Sequence, residues 1–349
     1  MDSLNTKITK ETKNKIRVDY EGKLSFKERM KQKFKSSKTW IKFIVSVFRF
    51  ILMLGVSFVI IYPFVSTIAG SFMSADDVRD QTVALIPKAF TFDQYVYIAT
   101  ENDYFSALLN TTLLSLFCAI IQTLVACLIG YGLAKFKFKG NSLIMGLVVL
   151  TMVIPHGAMR LSLIRHFNNF DFLKLLVFDY RGIMDIMSGG QQIDLGGTFW
   201  PLIILSVFGL AFKNGLYIYL MRQFFKGVPD ELEESAYVDG AGTLRTFFQI
   251  ILPLSIPMMI TIFLFSFSWQ WTDEFYTTIF FQTGDPVALM PDVYTTIPES
   301  FSRDLIAVPE FKTTIQNTAV LMIILPLIIV YLFCQRYLVQ GIERSGLVG

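Results

Sequence analysis

Long apolar stretches, each of about 18 residues or more and nearly free of charge, alternate along the chain with shorter polar segments. An α-helix rises about 1.5 Å per residue, so roughly 20 apolar residues cross the hydrocarbon core of a bilayer. Amphipathic helices of soluble proteins carry a polar face, which these stretches mostly lack. The pattern therefore predicts an all-α integral membrane protein with six transmembrane helices, at residues 43–69, 105–134, 143–160, 199–221, 254–281 and 314–335.

Composition supports the membrane prediction and limits the chemistry of the chain. Of its 349 residues, 53% are hydrophobic and 17% are charged, whereas about a quarter of the residues of a soluble domain are charged. Cys118, Cys127 and Cys334 lie within apolar runs, and His156 and His166 are the only histidines. These spacings predict no disulfide framework, no metal site and no catalytic cluster.

The distribution of basic residues predicts the orientation. With a cytosolic N-terminus, the inner segments hold 21 Lys and Arg residues and the outer segments hold 8. Lys and Arg are concentrated on the cytosolic side of membrane proteins, so both termini are predicted to be cytosolic. Two basic residues, Arg49 and Lys213, fall within predicted helices. Arg49 lies near the start of its helix, where its long side chain reaches the cytosolic headgroups.

The N-terminal 42 residues differ from the rest of the chain. They hold 13 Lys and Arg against 5 Asp and Glu and have few apolar residues, so they are predicted to form a basic cytosolic tail. Residues 24–34 fit either a basic amphipathic helix on anionic lipid or a solvated arm. The predicted organisation is a tail at 1–42, a first helix and outer loop at 43–104, a permease domain at 105–341 and a cytosolic tail at 342–349.

Residues 228–257 form the longest predicted cytosolic interruption between two membrane helices. Pro229 suits the first turn of a helix, and four acidic residues after it favour the positive end of the helix dipole. Gly240 is expected to end this helix, because glycine tolerates the left-handed conformation found there. A second short helix, at about 242–251, is predicted to precede Pro253, which would open the fifth membrane helix.

Three motifs in this interruption resemble the EAA loop of bacterial binding-protein-dependent ABC permeases. They are the tripeptides at residues 234–236 (Glu-Ser-Ala), 239–241 (Asp-Gly-Ala) and 251–253 (Ile-Leu-Pro). Serine at position 235 replaces the first alanine of the family pattern, and it is small enough to pack in the same space. The resemblance implies the type I importer permease fold, and it assigns ATPase coupling to Glu234, Ser235, Ala236, Asp239, Gly240, Ala241, Leu252 and Pro253.

The resemblance also implies the partners. The chain contains no Walker A pattern, so the ATPase would be a separate polypeptide. The family assembles two permease subunits, two nucleotide-binding ATPase subunits and an extracellular solute-binding lipoprotein in the bacterial cell membrane. The chain itself is then a non-catalytic subunit without a cofactor or a nucleic-acid partner, and ATP-Mg binds the partner ATPase.

The expected cargo follows from further resemblance. The sequence at residues 335–341, together with residues 86–88 and 91–95, resembles the maltose-type second permease, which pairs with a different permease subunit to import oligosaccharides. A permease for another solute is the first alternative. An ion-coupled secondary transporter is the second, but it predicts two similar halves with broken helices and ion-coupling acids.

Polar residues near the outer end of the fifth predicted helix are candidates for a substrate path. Trp271, Asp273 and Glu274 combine an aromatic face with carboxylates, which suits sugar hydroxyls. The alternative is an interfacial aromatic belt with an interhelical hydrogen bond, and it is favoured. The outer loop at 282–313 is the candidate contact with the extracellular binding protein.

Overall fold

The computed structural model describes residues 8–11, 17–20, 37–170, 193–281, 287–301 and 306–344. The chain divides into two compact units, Met1–Ser66 and Thr67–Gly349. In the second unit the described regular elements are all helical. The possible amphipathic helix at 24–34 lies outside the described residues.

The first unit contains a two-stranded antiparallel hairpin and most of the first membrane helix. Strand β1 (Ile8–Glu11) pairs with β2 (Arg17–Tyr20), with Ile8 opposite Tyr20. The sequence predicted no strands in this tail. An isolated two-stranded hairpin is only marginally stable in water, so this hairpin contributes little to the stability of the tail. Helix α1 (Ser37–Gly70) follows, and its large apolar side chains are exposed, as a helix surrounded by lipid requires.

The second unit is built on three long helices with shorter helices between them. Four described helices of the whole chain are long and apolar enough to cross a membrane: Trp40–Gly70, Tyr104–Lys135, Thr243–Trp271 and Pro309–Leu338. The helices after α1 are, in chain order, α2 (Ala75–Arg79), α3 (Asp93–Glu101), α4 (Tyr104–Lys135), α5 (Asn141–Val153), α6 (Arg160–Asn168), α7 (Trp200–Val207), α8 (Asn214–Lys226), α9 (Glu231–Val238), α10 (Thr243–Thr246), α11 (Leu252–Trp271), α12 (Phe275–Phe280), α13 (Met290–Thr295) and α14 (Pro309–Arg344).

The third predicted span is bent rather than straight. Helix α5 ends at Val153, and the helical segment His156–Asn168 continues from it at an angle of 95°. Ile154 and Pro155, between the two, have extended backbone conformations. A residue that precedes proline is disfavoured in the α conformation, and proline cannot donate to the carbonyl four residues earlier, so the bend falls at this dipeptide.

The fourth predicted span, 199–221, consists of two short helices. Helix α7 ends at Val207 and α8 begins at Asn214, and the break contains two residues with positive φ, Gly209 at +71° and Lys213 at +64°. The break is itself apolar at Phe208, so its hydropathy did not distinguish it from a continuous helix. Where the sequence predicted six helices, the described residues contain four continuous helices long and apolar enough to cross a membrane, one bent pair and the two short helices α7 and α8.

Helix α4 lies at the centre of the packed unit, between α8 and α11. Gly130 lets α8 approach closely, because a Cβ atom at this position would lie 2.6 Å from Cβ of Met221. Small residues have this role in many membrane helix pairs. Buried Gln122 of α4 donates to Oγ of Ser206 at 3.0 Å and accepts from Oγ of Ser266 at 2.6 Å, so one amide joins α4, α7 and α11.

Candidate functional site

The coupling segment, residues 228–257, begins with the predicted short helix. Helix α9 spans Glu231–Val238, and Gly240 follows it at φ +81°. The N–H of Gly240 donates to the carbonyl of Tyr237 at 3.0 Å, and the N–H of Ala241 donates to the carbonyl of Ala236 at 2.9 Å. These two bonds are the Schellman arrangement that ends a helix at a left-handed residue. The prediction that Gly240 stops the helix is confirmed.

The second half of the coupling segment differs from the prediction of a separate short helix. The chain is helical without interruption from Thr243 to Trp271, through a π-helical turn at Phe247–Ile251. The N–H of Leu252 donates to the carbonyl of Phe247, five residues earlier. Pro253 has no N–H to donate to an earlier carbonyl. The wider π-helical turn directly before it accommodates the missing donor, so the helix continues where an end was expected. The fifth membrane helix therefore starts at Thr243, eleven residues before the predicted start at residue 254.

A buried lysine fixes the start of the coupling segment to α4. Nζ of Lys135 donates to the carbonyl of Val228 at 2.7 Å and to Oδ1 of Asp230 at 2.5 Å. The Lys135 side chain is 7% exposed, whereas that of Asp230 is 78% exposed. The ammonium group of Lys135 lowers the pKa of Asp230 below its ordinary value through this hydrogen bond. The bond to the carbonyl is the more buried of the two and holds the chain in place as it leaves α8.

The two faces of α9 differ in exposure. Glu233 and Ala236 are buried, and Glu233 lies beside Tyr131 of α4. The opposite face, with the first turn of the next helix, exposes apolar side chains: Val238 is 88% exposed, Leu244 74% and Phe248 59%. Exposed apolar side chains grouped on one short segment are typical of a protein interaction surface.

The residues assigned to coupling separate into two groups. Glu234, Ser235, Asp239, Gly240 and Pro253 are exposed, and Ala236, Ala241 and Leu252 are buried or half-buried within the chain. The exposed group adds two carboxylates, those of Glu234 and Asp239, to the segment that exposes the apolar side chains. The buried group holds the segment against its own membrane helices.

Trp271 and Asp273 make contacts within the helix bundle. The indole Nε1 of Trp271 is buried and donates to the carbonyl of Ile323 at 3.0 Å. The carboxylate of Asp273 accepts from the N–H of Tyr276 at 3.2 Å, at the start of α12. Glu274 is exposed. The structure thus places two of the three substrate-path candidates in interhelical and capping contacts, and the third on the surface.

Two residues that position the coupling segment were missed by the sequence interpretation. Lys135 was counted only as a cytosolic charge, and Glu233 was treated only as part of an acidic first turn. The available signal was the position of Lys135, the last residue of an apolar helix, where a long cationic side chain caps helical carbonyls or pairs with a carboxylate.

Comparison with known proteins agrees with this fold. Residues 122–344 match the family described as binding-protein-dependent transport system inner membrane component. The chain is 26% identical, over 87% of its length and 97% of the relative, to the polygalacturonan/rhamnogalacturonan transport system permease protein YtcP of Bacillus subtilis. It is also 26% identical, over 88% of its length and 97% of the relative, to the galactooligosaccharides transport system permease protein GanQ of the same organism.

A solved structure supports the fold. The chain resembles, with a TM-score of 0.62 and 21% identity, a chain of a bacterial ABC transporter involved in the import of the acidic polysaccharide alginate. The match covers 86% of this chain and 98% of the other. The chain belongs to the family of binding-protein-dependent transport system inner membrane components. It is a permease subunit of the ABC importer type and a multi-pass protein of the bacterial cell membrane.

Proposed function

We propose that the protein forms half of the translocation pore of an ATP-driven carbohydrate importer and is driven by a separate ATPase through the coupling segment. A second permease subunit supplies the other half of the pore, and an extracellular solute-binding lipoprotein delivers the cargo. Two nucleotide-binding subunits carry ATP-Mg, and this chain supplies neither a cofactor nor catalytic residues. The saccharides in the names of the two relatives support carbohydrate as the cargo class.

The observation that carries the proposal is the connection of α9 to three membrane helices. Its start is held to α4 by Lys135 and follows directly from α8, and its end passes through Gly240 into the uninterrupted helix Thr243–Trp271. A force on the exposed side of α9 is therefore transmitted to α4, α8 and α11. Interfaces that combine an apolar centre with a polar rim are common between subunits.

The proposed topology places this segment in the cytosol. If the bent pair and the broken pair α7 and α8 each cross the membrane once, the chain crosses six times and both termini are cytosolic. The segment between α8 and α11 then faces the same side as the basic N-terminal tail. The basic residues counted in the sequence support this arrangement.

Substitution of Val238 by aspartate tests the coupling surface. Burying a valine side chain stabilises an interface by about 1.5–3 kcal/mol, so Val238→Asp should reduce ATPase association at least tenfold in detergent-solubilised complexes. Ile86→Asp is a matched control, because Ile86 is 83% exposed in an outer loop. Equal ATPase association in wild type and Val238→Asp would contradict the assignment.

A further inference from the structure

A cavity of about 250 Å³ lies where the bend of the third span meets the break in the fourth. His156 comes from the bend, Lys213 and Asn214 from the break and the start of α8, and Tyr276 from α12. Helix α8 has 13 residues, so Lys213 lies about 20 Å from its cytosolic end, deep in the span. Polar groups from three separate segments thus converge within the membrane-spanning part.

Lys213 brings a positive charge to this cavity. Its ammonium group lies 4.8 Å from the ring centre of Phe212 and 5.5 Å from that of Trp269. Among the ion pairs of the described residues, none includes Lys213. The side chain is exposed, so an incoming group can reach it. Ionisable residues inside membrane spans are costly and usually mark the path of a substrate or ion.

Unpartnered polar atoms lie beside this charge. Asn214 is 1% exposed, and neither its amide nitrogen nor its amide oxygen hydrogen bonds to the described residues. Nδ1 of His156 is also buried without a partner among them. A buried polar group without a hydrogen bond costs about 1–3 kcal/mol. A ligand with hydroxyl groups, which both donate and accept, would satisfy the amide and the imidazole together.

The surroundings favour an anionic sugar. Asn214 opens α8, so the positive end of that helix dipole faces the same region as Lys213. The rings of His156 and Tyr276 both line the cavity, with their centres 6.2 Å apart, and form an aromatic wall. Such a wall suits the C–H face of a pyranose ring. Drug-sized ligands occupy cavities of roughly 300–1,000 Å³, so this smaller cavity fits one sugar unit.

We propose that this cavity is a cargo subsite for a carboxylate-bearing sugar unit, a uronate, whose carboxylate pairs with Lys213 and whose hydroxyls bind Asn214 and His156. This inference rests on the proposed carbohydrate function and specifies the cargo. A neutral sugar would satisfy the amide and the imidazole but leave the lysine charge unpaired. The subsite therefore distinguishes acidic from neutral oligosaccharides.

Uptake by the complete complex in proteoliposomes tests the subsite, with ATP inside and the binding protein outside. The probes are trigalacturonate and a neutral galactotriose, each measured over a range of concentrations. Wild type should import trigalacturonate. Lys213→Ala should raise the concentration for half-maximal trigalacturonate uptake by about tenfold or more, because hydrogen bonds to charged groups contribute about 1.5–3 kcal/mol. Lys213→Arg should restore most of the affinity.

Lys139→Ala is the control, because Lys139 is an exposed lysine in the connection between α4 and α5. It should leave both uptake curves and the basal ATPase rate unchanged. The uronate subsite would be overturned if the wild type imported galactotriose but not trigalacturonate. It would also be overturned if Lys213→Ala left the trigalacturonate curve unchanged. Equal losses for both sugars in Lys213→Ala would also overturn it. Absence of ATP-dependent uptake of any oligosaccharide by wild type would instead count against the carbohydrate function itself.

Discussion

Lys135, at the end of α4, donates a hydrogen bond of 2.7 Å to the carbonyl of Val228, the first residue of the coupling segment. This bond joins a central membrane helix to the segment that we assign to the ATPase. The bond is part-buried, so water competes with it less than with a surface contact.

Lys135→Ala should weaken the connection between ATP hydrolysis and uptake. Removal of the ammonium group leaves the Val228 carbonyl without its donor, at a cost of about 1–3 kcal/mol in the stability of the segment. The number of ATP molecules hydrolysed per sugar imported should rise. The exposed neighbour Lys139 provides a control, and Lys139→Ala should keep the wild-type ratio. An unchanged ratio in Lys135→Ala would show that the contact is dispensable.

Asp230→Asn should affect the same ratio much less, because Asp230 is 78% exposed. Lys135 lowers the pKa of Asp230, so their pairing stabilises the folded segment above the ordinary pKa of an aspartate. This stabilisation is lost as the pH falls through the lowered pKa. At neutral pH, the Lys135→Ala defect should therefore exceed the Asp230→Asn defect. The two ratios, measured side by side at neutral pH, check this order, and a larger Asp230→Asn defect would contradict it.

Gly240→Ala should destabilise the turn after α9. A residue with a Cβ atom in the left-handed conformation costs roughly 1–2 kcal/mol, and no atom lies within 4 Å of the position that a Cβ would take, so the cost comes from the backbone alone. Gly240→Asp should add uncoupling of hydrolysis from uptake while insertion remains measurable. Gly242 has an ordinary φ of −78° and equally open surroundings, so Gly242→Ala serves as control. Wild-type uptake by Gly240→Asp would remove the coupling assignment.

Gly130→Ala should lower thermal stability through the contact between α4 and α8. The new methyl group would lie 2.6 Å from Cβ of Met221 and 3.0 Å from the backbone nitrogen of Arg222, so the helices must separate. Overpacking of this kind costs about 1–3 kcal/mol. Gly132 lies two positions further along the same helix and is the control, because no atom lies within 4 Å of the position that its Cβ would take. Gly132→Ala should therefore melt like wild type. Equal melting temperatures for the two variants would contradict the packing.

Asp273 provides a comparison with the proposed uronate subsite. Its carboxylate accepts from the N–H of Tyr276, so Asp273→Asn, which retains an acceptor oxygen, should preserve stability better than Asp273→Ala. Asp273→Asn and Asp273→Ala, where each of them folds, should keep wild-type cargo affinity. A selective loss of affinity in Asp273→Asn, together with unchanged affinity in Trp271→Ala, would restore Asp273 to the substrate path.

The sequence predicted those features that depend on local chemistry. The stop at Gly240 followed from the conformational freedom of glycine, and the apolar runs located the four continuous membrane helices. The break before α8 was not predictable from hydropathy, because its residues are largely apolar and Lys213 takes a positive φ without being glycine. The cavity around Asn214 was also beyond the sequence, since its groups come from separate segments that only tertiary packing brings together.

Simultaneous measurement of ATP hydrolysis and oligosaccharide uptake by the purified complex in proteoliposomes shows whether a separate ATPase drives this permease subunit. Uptake should require ATP, the binding protein and an intact coupling segment, and Val238→Asp should abolish uptake while Ile86→Asp should not. Uptake that continues without ATP, driven by an ion gradient, would contradict this prediction.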